Sequence, residues 1–243
     1  MKGTTPAGTS TEQAAAEWVR GMFGRIAPRY DLANHVLSLN LDRYWRAQTV
    51  KRVRHILEKT DCRVLDVCCG TGDLLLALQA KSRAPVIGSD FCHPMLGAAR
   101  AKIERRRFRC PLFEADALRL PLAGASLDLV TVAFGFRNLV NYRAGLEEMR
   151  RVLKPGGLAA VLEFSQPGAT LFGKLYGFYS RRLLPVIGGA LSGSREAYGY
   201  LPASIGKFPS AEELASEMRA AGFRSVEFRR MTGGTVALHI GTK

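Results

Sequence analysis

Five apolar runs punctuate the middle of the chain: Val64-Leu65-Asp66-Val67, Val86-Ile87-Gly88-Ser89-Asp90, a short run closed by Glu114-Ala115-Asp116-Ala117, Leu127 to Ala133, and Leu158 to Phe164. Each is bounded by glycine, proline or an acid, and segments of helical period separate them. That rhythm predicts parallel β-α-β units in a sheet buried on both faces. Before them, helices are predicted over Thr11–Ile26, Ala33–Leu39 and Leu41–Glu58, the last with Trp45, Val50, Val53 and Leu57 on one face. After them, Ser210 with Glu213 three residues on forms a capping box for a helix to Ala221, which Gly222 ends. Strands over Ser225–Arg230 and Thr235–Ile240 complete the pattern.

The fold expected is α/β: a Rossmann-like, mostly parallel seven-stranded sheet with helices on both faces. An N-terminal helical extension spans residues 12–59, and the main domain spans 60–243. Residues 1–11, rich in Thr, Gly and Ser, are expected to be a disordered tail. Residues 168–207 break the strand-helix rhythm as a helical insertion. Its segment Ala169–Leu191 interleaves Leu, Phe, Tyr and Ile with Lys174, Arg181 and Arg182. Two readings fit that segment: a helix packed on the domain, or a lid over a large apolar substrate that dips into a bilayer interface.

With 243 residues and 47% hydrophobic composition, the chain can bury one full core. Its 35 Lys and Arg against 21 Asp and Glu leave a net charge of +14. That suits an anionic partner surface, nucleic acid or lipid, and equally a solvated basic surface on a small-molecule enzyme. The five cysteines show no CxxC spacing, so no zinc or other metal site is expected, and unpaired buried thiols suit a reducing cytoplasm. No run of about 18 apolar residues suggests a transmembrane helix.

The chemistry concentrates in Asp66-Val67-Cys68-Cys69-Gly70-Thr71-Gly72-Asp73, a strand that stops at a glycine turn and starts a helix, with Asp73 at the expected N-cap. Asp90, at the tip of the next strand, is placed to accept hydrogen bonds from ribose hydroxyls. The spacing Gly-Thr-Gly between acids disfavours a pyrophosphate but suits an aminoacyl ammonium and a sulfonium, which points to S-adenosylmethionine. Asp116 is placed to accept from an adenine amino group, and Ala117 and Ala133 lie at the same strand ends. The expected cofactor site is therefore Asp66, Gly70, Thr71, Gly72, Asp90, Asp116, Ala117 and Ala133.

The layout from about residue 60 onward resembles class I S-adenosylmethionine-dependent methyltransferases. More specific pieces resemble the C-methyltransferases of menaquinone and ubiquinone biosynthesis, from about Met22 to Lys243. They are Tyr30-Asp31-Leu32-Ala33-Asn34-His35-Val36-Leu37-Ser38 with Trp45-Arg46, Phe134-Gly135-Phe136-Arg137-Asn138, Arg151 to Gly157 running into Leu162-Glu163-Phe164-Ser165, Tyr200 to Ile205, and Thr232-Gly233-Gly234. The chain departs from the family pattern at Ala33 for Met, Asn40 for Gly and Asp42 for His, and Cys68 stands where most class I enzymes have a first glycine. The Asp42 change is expected not to touch the cofactor site.

The resemblance implies methylation of a ring carbon of a polyprenylated quinol, with demethylmenaquinol ahead of a benzoquinol. Such carbon methylation needs a deprotonated ring hydroxyl, proximity and oxyanion stabilisation rather than a covalent nucleophile. Arg137 and Asn138, after the fourth strand, are the expected catalytic pair. The implied setting is the cytoplasm, with peripheral contact to the anionic inner face of the cell membrane. The alternative is a nucleic-acid (RNA) methyltransferase, which would use the charge directly. Against it, Ala133-Phe134-Gly135-Phe136 stands where amino-methylating enzymes usually carry Asn/Asp-Pro-Pro-aromatic, and Cys110 precedes Pro111 in the wrong strand for cytosine chemistry.

Overall fold

The computed structural model describes residues 3–167 and 195–243. Its helices are α1 (Glu12–Ile26), α2 (Tyr30–Leu37), α3 (Leu41–Leu57), α4 (Asp73–Gln79), α5 (His93–Arg106), α6 (Tyr142–Val152), α7 (Arg195–Lys207) and α8 (Ala211–Ala220). The strands are β1 (Val64–Val67), β2 (Val86–Asp90), β3 (Leu112–Glu114), β4 (Leu127–Ala133), β5 (Leu153–Phe164), β6 (Ser225–Met231) and β7 (Val236–Thr242). They form one seven-stranded sheet in the order β3-β2-β1-β4-β5-β7-β6, parallel except for β7, which runs antiparallel to β5 and β6.

Adjacent strand residues feed opposite faces, as the two-residue period of a pleated strand requires. Val64, Leu129 and Leu238 pack with Trp45, Val53, Leu74 and Leu78 on one side. Leu65, Val130 and Val161 pack with Leu146, Met149, Leu214 and Met218 on the other. Leu65 is fully buried, so truncating it to Ala should cost about 2–5 kcal/mol through lost transfer energy and a residual cavity. A third cluster joins Met22, Ile26, Ala33 and Leu37 of the first two helices to Met95 of α5. It lays the N-terminal extension across the carboxyl edge of the sheet.

Caps explain several boundaries. Thr11 accepts from the Ala14 N–H at 3.1 Å to open α1, and Ser210 with Glu213 makes the full capping box of α8. Asn40 lies in the left-handed region at φ 61°, which Asn tolerates better than most residues and where the family pattern has Gly. Other boundaries move. A 3-10 turn over Ala27–Arg29 joins α1 to α2, so α2 starts at Tyr30 rather than Ala33. The Pro155-Gly156-Gly157 turn sits inside β5 as a register shift between the Leu127 and Leu129 pairings, with Gly156 at φ 79°.

Two residues near the N-terminus, Gly3 and Thr4, are bonded to the main domain. Backbone N–H groups of Gly3 and Thr4 donate to the carbonyls of Val140 and Leu139, and the Thr4 hydroxyl hydrogen-bonds the Tyr200 hydroxyl at 2.7 Å. The segment Ala169–Leu191, read above as a packing helix or lid, lies outside the described residues.

Candidate active site

A cleft opens over the carboxyl ends of β1, β2 and β4, where the strand order reverses between β1 and β4. That reversal is the usual ligand position in an open α/β sheet. Two buried acids form its floor. Asp66 accepts a hydrogen bond from the Thr131 hydroxyl at 2.6 Å, and burial pushes its carboxyl up to about 7. Asp90 accepts from the Gly70 N–H at 2.8 Å and the Cys92 N–H at 2.9 Å, and burial pushes it up to about 6. Both carboxylates are thus partly desolvated and face a cavity. A cationic or hydroxyl-bearing ligand would supply what solvent does not.

The turn between β1 and α4 is shaped to leave that cavity open. Gly70 is at φ 56° and a Cβ on it would meet nothing within 4 Å, so a side chain there would occupy the cleft itself. Cys68, at φ 50°, holds the left-handed conformation that glycine favours. It stays so beside Gly135, where a Cβ would come within 2.5 Å of the Cys68 Cβ. The cleft is also lined by Thr71, Ala117, Ala133 and Asp116, whose carboxylate accepts from the Leu118 N–H at 2.9 Å.

One expected site residue, Gly72, is not among those that line the cleft. Gly72 caps α4 at φ 85° and packs against α5, where a Cβ would lie 3.3 Å from that of Ala99. Asp73, expected as N-cap, is instead the first residue of α4, and its carboxylate is spent on ion pairs.

Those ion pairs join the turn to the N-terminal helices. Lys102 of α5 reaches Asp31 at 2.7 Å, Asp73 at 2.5 Å and the Thr71 hydroxyl at 3.2 Å. Arg46 of α3 pairs with Asp42 and lies 3.6 Å from Asp73, and His35 Nδ1 lies 2.8 Å from Asp42. Burial works against ionisation of Asp42, but a hydrogen bond from Ser38 and the Arg46 guanidinium outweigh it and hold the carboxyl below its ordinary value. Asp42 does not line the cleft; its ion-pair partner Arg46 does, and lies 3.6 Å from Asp73 on the same wall. His35, Asp42 and Asp73 offer ligand atoms within 4.8 Å of one another, and Arg46 and Lys102 already compensate their charge.

The back wall follows β4. Phe134 is held at φ 58° with its ring 5.8 Å from Trp45 and 4.9 Å from Phe164, and the Arg46 guanidinium lies over it at 5.6 Å. Asn138 lines the cleft and accepts from the Tyr200 hydroxyl at 3.1 Å. Arg137 does not line it. It is 5% exposed, donates to Glu163 at 3.1 Å and to the Phe134 carbonyl, and lies over the Phe164 ring. Glu163 also accepts the Arg137 and Phe164 backbone N–H groups. The guanidinium so paired stands behind the cleft wall, turned into the core.

Sequence reasoning named Tyr30, Trp45-Arg46, Tyr200 and Thr232 only as pieces of a signature. In the structure they converge. Tyr30 lines the cleft beneath α1, with the Phe23 ring 6.0 Å away, and burial raises its phenol pKa. Trp45 Nε1 donates to the Thr232 hydroxyl at 2.8 Å. Phe91 and Met95 complete the wall and carried no local signal beyond following Asp90.

The model of the ubiE/COQ5 methyltransferase family matches residues 9–243. A Thermus thermophilus protein named demethylmenaquinone methyltransferase is 48% identical, covering 91% of this chain and 100% of its own. One of the same name from Deinococcus radiodurans is 46% identical, covering 98% and 97%. Among solved structures, a SAM-dependent methyltransferase of Thermotoga maritima, described as a possible histamine N-methyltransferase, superposes with a TM-score of 0.64 at 20% identity, covering 92% of this chain and 99% of that one. At that identity the likeness concerns the fold.

Proposed function

The chain belongs to the ubiE/COQ5 methyltransferase family, and we propose that it methylates a ring carbon of a polyprenylated quinol, demethylmenaquinol in menaquinone biosynthesis, with S-adenosylmethionine as donor. The observation that carries this reading is one cleft with acids on its floor and aromatic and amide groups on its back wall. The nucleic-acid alternative draws no support from the family.

Bound S-adenosylmethionine would supply an electrophilic methyl group. Asp90 would accept the ribose hydroxyls with the lone pairs left after its two backbone bonds, and Asp116 the adenine amino group. Asp66, Gly70 and Thr71 would hold the aminoacyl end. Ala117 and Ala133 would keep the walls close without filling them. A quinol ring would then stand between Tyr30, Phe134 and Asn138. Once its hydroxyl has lost a proton, the ring carbon is nucleophilic enough to react, so the residues contribute orientation and stabilisation of the phenolate. Asn138 is the contact residue. Arg137 is a positioning residue that fixes the Phe134 carbonyl and the turn bearing Asn138.

The prenyl tail keeps the substrate in a bilayer, so we place the enzyme in the cytoplasm at the inner face of the cell membrane. No described helix is long and apolar enough to cross a membrane. The reading is tested by methyl-transfer assays with reduced demethylmenaquinone and a demethoxy-type benzoquinol side by side. A methylated naphthoquinol is the expected product. Methylation of neither quinol, with methyl transfer to RNA, overturns it.

A further inference from the structure

The large hydrophobic side chains exposed among the described residues all fall on one corner. They are Leu32 at 58%, Val36, Leu39 at 78%, Leu41 and Tyr44. Helical period explains how α2 serves four surroundings at once. Tyr30 faces the cleft, Asp31 and His35 join the ionic cluster, Ala33 and Leu37 are buried, and Leu32 and Val36 are left in solvent. Leu39, just past the end of α2, is the most exposed of them. Leu39 and Asn40, both at positive φ, turn the chain so that Leu41 and Tyr44 of α3 join the same corner. Scattered apolar residues on a surface are ordinary, but a contiguous cluster marks an interaction site.

The surroundings of this corner select its partner. A groove between the α2–α3 corner and α5 is lined by Asp31 and Asp73, by Arg46 and Lys102 that pair with them, and by Arg43, Arg105 and Arg106. The last three side chains are exposed, and Arg29 stands exposed at the foot of α2. Apolar side chains flanked by Arg29 and Arg43, with Arg105 and Arg106 across the groove and a tyrosine among them, match the interface of an anionic leaflet: hydrocarbon for the leucines, phosphate for the guanidiniums.

The geometry points to the α2–α3 corner as the surface by which this enzyme docks on an anionic phospholipid bilayer, with Leu32, Val36, Leu39, Leu41 and Tyr44 entering the interface and Arg29, Arg43, Arg105 and Arg106 holding headgroups. This rests on the quinol reading for its purpose, since α2 carries the bare stripe on one face and cleft-lining Tyr30 on another. Docking there brings the cleft beside the leaflet in which a prenylated quinol resides.

The test is co-sedimentation of the full chain with vesicles of phosphatidylglycerol and phosphatidylcholine, or of phosphatidylcholine alone. Wild type should bind the anionic vesicles, with binding reduced by salt. Leu39→Glu should lower partitioning by about tenfold or more, since each buried methylene lost weakens insertion severalfold. Arg105→Glu with Arg106→Glu should abolish the preference for anionic over neutral vesicles. Both variants should keep the wild-type melting temperature and the wild-type rate on a short-tailed quinol in solution. Sedimentation needs no substrate, so it reports docking even if no quinol is methylated. Wild-type protein left in the supernatant, or a Leu39→Glu variant that sediments like wild type, overturns the proposal. So does a wild-type dimer on size exclusion that Leu39→Glu dissociates without any vesicle binding, which would make the corner an interface between copies.

Discussion

Thr71 donates its hydroxyl proton to Asp31 at 2.5 Å, so the glycine turn that shapes the cofactor end of the cleft is bonded to the helix that roofs it. Lys102 spans the same gap from α5 to Asp31 and Asp73. Roof and floor are thereby coupled: whatever orders the turn also steadies α2. Removing Lys102 takes from Asp31 the cation that faces it and leaves Asp73 only the Arg46 guanidinium, 3.6 Å away. Lys102→Met is expected to weaken cofactor binding by about 1–3 kcal/mol, the cost of unpaired polar groups at such a site. Calorimetry with S-adenosylhomocysteine measures it, and limited proteolysis should show faster cleavage within residues 12–40. Unchanged affinity and unchanged proteolysis would show that the latch carries no coupling.

Asp90→Ala removes an acceptor that the turn and the ribose would share. The loss should cost about 1.5–3 kcal/mol in cofactor affinity. Asp90→Asn separates the two roles. Its amide oxygen can still accept one backbone N–H, so the turn should survive while the charge-assisted bonds to hydroxyls weaken. Equal affinity in wild type and Asp90→Ala would move the ribose contact elsewhere.

The raised values of Asp66, at about 7, and Asp90, at about 6, give pH dependence a definite sign. Their ordinary value is 3.8, so in the free protein the stability they contribute is present below about 4 and is lost as pH rises through about 6 and 7. A ligand that donates hydrogen bonds, or carries an ammonium, prefers the ionised forms and reverses that loss. The thermal stabilisation produced by saturating S-adenosylhomocysteine should therefore grow between pH 5.5 and 7.5. Below about 6, binding should weaken by up to about 1.4 kcal/mol per pH unit for each group that must lose a proton. A stabilisation that is flat or falling over this range would mean that neither acid meets the ligand ionised.

The sheet was legible because its information is local. The step from Val64 on one face to Leu65 on the other is the strand period itself, and Ser210 with Glu213 is a cap complete within four residues. The acids at strand ends were legible for the same reason. What stayed hidden depends on partners far along the chain. Arg137 reads as a site residue until Glu163, on the neighbouring strand, takes its charge. Gly3 and Thr4 read as a loose tail until they pair with Val140 and Leu139. Leu32, Val36 and Leu39 carry no sign in the sequence of which way they face, and the assembled fold leaves them exposed among the described residues.

Arg137 and Asn138, adjacent in sequence, should separate cleanly by experiment. Arg137→Met leaves Glu163, which is 1% exposed, as an uncompensated buried anion. Breaking one side of such a pair typically costs about 3–5 kcal/mol, so the melting temperature should fall sharply. Adding Glu163→Gln removes the orphaned charge and should restore much of the stability. Asn138 lies on the cleft wall and bonds Tyr200, so Asn138→Ala should leave the fold largely intact and lower kcat on a quinol. The opposite pattern would restore Arg137 as a contact residue: a stable Arg137→Met protein with turnover lost, and Asn138→Ala with turnover unchanged. The double variant decides the matter most directly. If Arg137→Met with Glu163→Gln is as stable as wild type and still turns over within a few-fold, the guanidinium holds the wall in place and takes no part in the chemistry.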